Sequence, residues 1–164
     1  MSPRPNLQVI PGFGEAVREP YVLFCGHCAK RPEPADEQNR VCSSCHLGLI
    51  VSAPESLAPA PGDAFLIVDS KLQICALSKK AEKLLGAAES DIVNRTLTEI
   101  VHPADAEASG VESLVSVVVH AARGDGELHD MVIRPCDEWG VRWFTRVGPC
   151  GTPSAALLVL APDG

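Results

Sequence analysis

Four cysteines in the first third of the chain have the spacing of a metal site. Cys25 and Cys28 form one Cys-x-x-Cys pair, Cys42 and Cys45 form a second, and thirteen residues separate the two pairs. Each pair can turn two thiolates towards one centre, and two pairs supply the tetrahedral four-sulfur set that zinc prefers. Four protein ligands leave no open coordination position, so the pattern predicts a structural zinc ion and not a catalytic one.

The alternative chemistry for these cysteines is that of a redox dithiol. A thioredoxin-like pair requires a βαβ setting, which the sequence around neither pair predicts. We expect His27 and His46 to be exposed turn residues, because the four sulfurs already complete the site. The other cysteines, Cys75, Cys136 and Cys150, have no partner at metal spacing, and Cys75 is expected in the core.

Residues 20–51, which surround the cysteines, resemble a zinc ribbon. The resemblance rests mainly on the cysteine pairs, and the sequence departs from it at Ala29 and His46, where ribbons often carry glycine. The loop between the pairs is polar, contains two prolines and is typical of a hairpin tip. So short a segment cannot bury enough surface to fold alone, so we expect zinc to replace a core.

Composition divides the chain into four parts. An N-terminal arm at 1–19 precedes the zinc-ribbon-like module at 20–51, an Ala/Pro-rich linker occupies 52–62, and a second domain fills 63–164. The linker prolines predict a limited range of distances between the two folded parts.

Hydrophobic patterning in the second domain predicts two strands, several short helices, one long helix and three further strands. Candidate strands are 64–69, 72–77, 127–135, 141–148 and 154–161. The long helix begins at a capping box, Ser109 to Glu112, and its apolar stripe comprises Val111, Leu114, Val115, Val118 and Ala122. The order predicts an α+β domain with one antiparallel five-stranded sheet and helices between strands 2 and 3.

This part of the chain also resembles a PAS domain, roughly over residues 62–161. The matching positions are Val68, Asp69, Ala81, Leu84, Leu85, Gly86, Arg95, Leu97, His102, Pro103, Ala104 and Asp105. The resemblance implies a PAS-like sheet with helices around a pocket that holds haem, flavin, a small metabolite or nothing. It further implies a sensory or dimerisation role without catalysis.

The pocket ligand stays open, but two candidates are disfavoured. Flavin photochemistry needs a cysteine-containing string, and the corresponding residues 99–110 contain no cysteine. Haem needs a protein ligand inside the pocket. At 100° per residue, His120 lies on the side of the long helix opposite its apolar stripe, 180° away. If the stripe faces the pocket, His120 cannot reach the haem iron. We expect His102 to position a helix end and His129 to pack in a strand.

An aromatic hairpin near the C-terminus suggests a dimer surface. Strand alternation places Trp143 on one face and Phe144 on the other, between Arg142 and Arg146. Aromatic residues beside arginine are common in protein interfaces. They are equally compatible with packing inside a sheet. We expect a homodimer formed through the PAS-like domain, with simple sheet packing as the alternative.

Charge and composition narrow the function. The net charge of −7 disfavours a nucleic-acid binder, while 46% hydrophobic residues indicate a folded core. We expect no membrane segment, because no apolar run approaches about 20 residues, and the N-terminus lacks a signal-peptide layout. That predicts a reducing, cytoplasmic location.

No nucleophile–base motif, phosphate loop or open metal site is visible, so we expect a non-enzymatic protein. The sequence predicts a signalling or sensor protein whose PAS-like domain senses a ligand or dimerises, while its zinc module contacts a protein partner. The alternative is a transcription regulator whose zinc ribbon contacts nucleic acid.

Overall fold

The computed structural model describes residues 19–104 and 108–162, with only the backbone described at 108–112 and 162. The predicted arm at 1–19 lies outside these ranges except for Glu19. Asp105 of the His-Pro-Ala-Asp motif and the side chains of the predicted capping box at 109–112 also lie outside what is described.

An antiparallel sheet forms the centre of the molecule, and a separate two-stranded sheet precedes it. The small sheet pairs β1 (Tyr21–Cys25) with β2 (Ile50–Pro54). The strands of the large sheet are β3 (Ala64–Val68), β4 (Ile74–Leu77), β5 (Val101–Pro103), β6 (His129–Pro135), β7 (Trp143–Cys150) and β8 (Ala155–Pro162). Their order across the sheet is β4-β3-β8-β7-β6-β5, with every neighbouring pair antiparallel.

Four helices lie in the chain between β4 and β6. They are α1 (Lys79–Leu85), α2 (Glu89–Ile92), α3 (Leu97–Ile100) and α4 (Ala108–Ala122). Sequence signals explain their ends: the Ser78 hydroxyl caps α1 by accepting from the Ala81 amide at 3.2 Å, and Gly86 ends it with φ 64°. Among the described helices, none has the length and apolar character needed to cross a bilayer.

The sheet has six strands, so the prediction of five was wrong. The additional strand, β5, follows α3 directly, in a segment that the sequence predicted as the end of a helix. It pairs with β6 through Val101 opposite Pro135 and Pro103 opposite Ile133. With three residues it is too short to show an alternating pattern, and Pro103 is tolerated because β5 is an edge strand.

The helices pack on one face of the large sheet. The buried side chains on this face include Leu66, Ile74, Leu77, Leu97, Leu114, Val118, Ile133, Trp143 and Leu158. The predicted stripe of α4 is confirmed at Leu114, Val118 and Ala122, whereas Val115 is only half-buried. The predicted faces of the aromatic hairpin are also confirmed, because Trp143 is buried and Phe144 is 56% exposed.

The two-stranded sheet packs on the opposite face of the large sheet. A second cluster of buried side chains lies between them, formed by Phe24, Val51, Ala53, Leu57, Phe65, Ile67, Cys150 and Leu157. Ser52 and Gly151 join the two sheets by an isolated antiparallel bridge. The residues predicted as a linker therefore begin inside β2 and continue into this cluster at Leu57, which is 2% exposed.

Candidate metal centre

Two similar backbone turns present the four cysteines. In the first turn the Ala29 amide donates to the Cys25 carbonyl at 3.0 Å, and in the second the His46 amide donates to the Cys42 carbonyl at 2.9 Å. Cys25 is the last residue of β1, so the strand pair β1–β2 anchors the first turn. Both predicted Cys-x-x-Cys turns therefore form in the structure.

The four sulfur atoms converge on one point. The Cys25 and Cys45 sulfurs are 3.6 Å apart, the Cys28 and Cys42 sulfurs are 3.8 Å apart, and all four lie within 4.8 Å of one another. In a tetrahedral site with metal–sulfur bonds of about 2.3 Å, the sulfurs are about 3.8 Å apart. The donor set and its spacing are compatible with a tetrahedral metal site.

Burial and hydrogen bonds shift the pKa values of Cys25, Cys28 and Cys45 in different directions. The amides of His27 and Cys28 lie 3.4 and 3.5 Å from the Cys25 sulfur. Burial raises the pKa of Cys25 to about 12, and it also raises the pKa of Cys28. Burial opposes ionisation of Cys45 as well, but hydrogen bonds from two backbone amides and two thiols lower its pKa to about 6. A divalent cation at the centre of the cluster would favour the thiolate form of the buried cysteines.

Gly48 allows the second turn to approach the first. A Cβ atom at position 48 would overlap the Cys25 sulfur and the backbone of His27. Only a residue without a side chain fits between them. The glycine is therefore part of the cysteine cluster although it contributes no ligand atom.

Ala29 and His46 each follow the second cysteine of a pair and have an unusual backbone conformation. Both residues adopt a left-handed backbone, with φ 61° at Ala29 and φ 57° at His46. A side chain in that conformation costs about 1–2 kcal/mol. Both turns therefore form without glycine at these positions, but with local backbone strain.

The two histidines beside the cysteines have different surroundings. His46 is exposed, as the sequence predicts. The same prediction was wrong for His27, which is half-buried, because it lies between the cysteine cluster and α2. Its Nδ1 atom is buried without a hydrogen-bond partner and is 3.7 Å from the Glu89 carboxylate.

None of the other three cysteines belongs to the four-cysteine cluster. Cys136 is half-buried with its sulfur 3.5 Å from the Thr98 carbonyl, and Cys150 is buried, which raises its pKa to about 12. Cys75 is exposed, so its predicted place in the core was wrong. It lies at a register irregularity between β3 and β4, which turns it away from the core. Within the described ranges, the only cluster with metal-site geometry is that of the four cysteines.

The remaining histidines lie apart from the cysteine cluster. His120 is on the solvent-exposed face of α4, as predicted, with Nδ1 3.4 Å from the Asp125 carboxylate. The His102 ring bonds the Thr98 carbonyl at 2.9 Å, which ties β5 to α3. His129 is the first residue of β6 and is half-buried.

Sequence reasoning missed the contact between the cysteine module and the large sheet. Phe24 of β1 meets Phe65 of β3 edge-on, with ring centroids 5.9 Å apart. A signal for this contact is present in β3, whose five residues are all apolar and all buried. A strand that is apolar on both faces needs cover on both faces.

No protein-family model matches this chain, and no curated protein matches it. Solved structures to which it is similar include the PAS domain of a protein from Colwellia psychrerythraea, with a TM-score of 0.47 and 17% identity over 62% of this chain and 86% of that one. The PAS domain of nitrogen regulation protein NR(II) from Vibrio parahaemolyticus has a TM-score of 0.45 and 16% identity over 62% and 90%. The PAS domain of an HTR-like protein from Haloarcula marismortui has a TM-score of 0.45 and 15% identity over 62% and 81%.

Proposed function

We propose that Cys25, Cys28, Cys42 and Cys45 bind one structural zinc ion. Support comes from the convergence of the four sulfurs at distances that suit tetrahedral ligation. Zinc would supply the positive charge that buried thiolates need, and it would hold the two cysteine turns together. Four sulfur ligands complete its coordination, so its role is to stabilise the module.

We propose further that the chain is a non-enzymatic signalling protein. Its PAS-like sheet domain senses a small molecule or dimerises, and its zinc module contacts a protein partner. The observation that carries this proposal is the buried cluster between β1–β2 and the large sheet, because it joins the two parts mechanically. If a small molecule bound to the sheet domain displaces β3, the packed side chains of this cluster would move β1 and the cysteine turns with it.

The proposed location is the cytoplasm. None of the seven cysteines, all of which the structure describes, is in a disulfide, and a zinc–thiolate site persists most readily where thiols stay reduced. Cell fractionation tests this placement, and recovery of the chain from an oxidising compartment with its cysteines paired would contradict it.

The sheet domain offers a surface for a homodimer. Phe144 is exposed on the face of β7 opposite the helices, and Arg146 beside it bonds Asp130 at 3.3 Å and the Ser56 carbonyl at 3.0 Å. An aromatic side chain flanked by an ordered arginine is typical of interface centres. Phe144→Ser is therefore expected to weaken dimerisation.

Native mass spectrometry of the purified full chain tests these proposals together. We expect a dimer that carries one zinc ion per chain. Any small molecule retained by the protein should be released on collisional activation in the spectrometer. A strict monomer at all concentrations would overturn dimerisation. A chain without zinc whose four cysteines all react with a thiol reagent would overturn the metal site and the partner role built on it.

A second candidate function is that of a transcription regulator whose zinc module contacts nucleic acid. The favouring observation is a groove beside the first cysteine turn, lined by Lys79, Lys80 and Lys83 together with His27 and Cys28. The net charge of −7 opposes this function. Salt-sensitive binding of duplex DNA that is lost on replacing the three lysines by glutamate would favour it over partner contact.

A further inference from the structure

A small cleft lies where the second cysteine turn meets the edge of the large sheet. Its volume is about 220 Å³, and its walls come from both parts of the molecule, with Leu47, Gly48 and Leu49 on one side and Ile67 and Ala76 on the other. Apolar cavities of about 150 Å³ already hold a benzene ring. The cleft is therefore large enough for one bulky apolar side chain.

Two exposed leucines line this cleft. Leu47 is 72% exposed and Leu49 is 56% exposed. An antiparallel bridge pairs Leu49 with Val41, which is itself 48% exposed. Apolar side chains gathered around a concave surface are typical of interaction sites, whereas isolated ones are common on any surface.

The charged groups of the cleft are acidic. Among the described residues, Asp69 and Glu89 line it, His27 also lines it with Nδ1 3.7 Å from the Glu89 carboxylate, and no lysine or arginine does. The amides of Lys71 and Gln73 donate to the Asp69 carboxylate at 2.8 and 2.9 Å, which fixes its position. The Glu89 side chain remains 38% exposed. Two carboxylates beside an apolar cleft favour a partner that carries positive charge next to an apolar group.

We propose that this cleft docks a protein segment in which one large apolar side chain is flanked by lysine or arginine. The apolar side chain occupies the space between Leu47 and Ile67, and the flanking cations pair with Asp69 and Glu89. This inference rests on the proposed function, because it names the surface and the chemistry of the partner. Since a cysteine turn forms one wall, docking depends on the metal that holds that turn.

Short fluorescein-labelled peptides test the site in the zinc-loaded full chain. One set has a central leucine, phenylalanine or tryptophan flanked by lysines, a second set has the same centres flanked by glutamates, and a third has a lysine-flanked alanine. Fluorescence anisotropy should show that the first set binds at least about tenfold more tightly than the others. That preference should shrink as salt screens the charges.

Single variants place the peptide on the molecule. Leu47→Ser and Glu89→Gln should each weaken binding of the first set by about tenfold. Tyr21→Ser is the matched control, since Tyr21 is a 53% exposed apolar residue of the same module that does not line the cleft. Its affinity for the peptides should equal that of the unchanged protein. The zinc content and melting temperature of each variant establish that it is folded.

Three outcomes would overturn the inference. The peptide sets could bind equally, or Tyr21→Ser could weaken binding as much as Leu47→Ser does. A dimer that Leu47→Ser dissociates, without any peptide binding, would instead assign the cleft to a second copy of the chain. Each of these results leaves the zinc site standing if the chain still carries one zinc ion, whereas a chain without zinc overturns the proposed function itself.

Discussion

The two faces of the large sheet are covered by different means. On the helix face, large side chains from all parts of the domain form one continuous core, with Leu66, Leu114 and Ile133 fully buried. On the other face, β1 and β2 bury a smaller cluster around Phe24 and Phe65. The helix face therefore contributes most of the apolar burial, which is the main stabilising term in folding.

The loop between β1 and β2 buries almost nothing apolar. Its buried residues are Gly26, Ala29, Cys42 and Gly48, none with a large hydrocarbon side chain. Ordering each residue costs about 1–2 kcal/mol of backbone entropy, which so little burial cannot offset. The helix face is held by burial, and the loop requires another source of stability, for which we propose the metal.

Removing the metal should have the largest effect and should separate the two regions. Structural zinc in small modules binds with an apparent free energy of about 10–16 kcal/mol, so a strong chelator should unfold the loop at 26–49. Hydrogen exchange followed by mass spectrometry should show lost protection there and retained protection in α4 and β8. Cys42→Ser should reproduce the effect, and Cys75→Ser, outside the cluster, should not. Equal protection of the loop with and without metal would contradict the account.

A cavity on the helix face should have the converse effect. Leu114 is fully buried, so Leu114→Ala should lower the free energy of unfolding by about 2–5 kcal/mol in urea titrations. Zinc content should stay unchanged, because Leu114 lies on the face away from the module. Leu47→Ala, at a 72% exposed position, should change stability by about 0.5 kcal/mol or less. Loss of zinc in the folded Leu114→Ala protein would show that the helix-face core and the cysteine loop are not stabilised independently.

The contact between the regions should be measurable as a coupling energy. Phe24→Leu and Phe65→Leu, alone and together, form a double-mutant cycle across the edge-on ring pair. The expected coupling is about 0.5–1.5 kcal/mol in unfolding free energy. The control cycle pairs Phe24→Leu with Phe144→Leu, and those two effects should add. No coupling between Phe24 and Phe65 would mean that the module packs on the sheet without specific contact.

Relieving backbone strain in the second turn should give the smallest effect. His46 has φ 57° and is exposed. His46→Gly therefore removes the steric cost of this backbone conformation without removing a buried group. We expect a gain of roughly 0.5–1 kcal/mol, because the added freedom of the unfolded chain offsets part of the relief. The readout is the chelator concentration that removes half of the zinc, and His46→Ala should leave it unchanged. A lower midpoint in His46→Gly would indicate that the imidazole itself stabilises the site.

Much of the fold could be predicted from local sequence patterns. The alternation around Trp143 depends on neighbours in the chain, and that prediction is confirmed. The Ser78 cap and the Gly86 stop are also local features, because each depends on residues within one helical turn. The strand β5 could not be predicted, because three residues carry no period and their pairing with β6 is a long-range event. His27 was misplaced for a similar reason, since its burial depends on α2, which lies far along the chain.

For the candidate site, the grouping of the four cysteines could be predicted from their spacing, whereas the surroundings of the cluster could not. Cysteine pairs constrain each other within a few residues, so their convergence follows from two local turns. The packing of Phe24 on Phe65, and the cleft between Leu47 and Ala76, depend on how two sheets meet. That geometry is set by side chains distant in sequence. The one sequence signal for the contact between the two sheets is that β3 is apolar on both faces.

X-ray absorption at the zinc edge, combined with metal analysis of the full chain, tests the central claim most directly. We expect one zinc ion per chain with four sulfur neighbours at about 2.3 Å. A metal-free chain in which the loop at 26–49 is as ordered as α4, or a zinc ion bound mainly through nitrogen or oxygen, would contradict it.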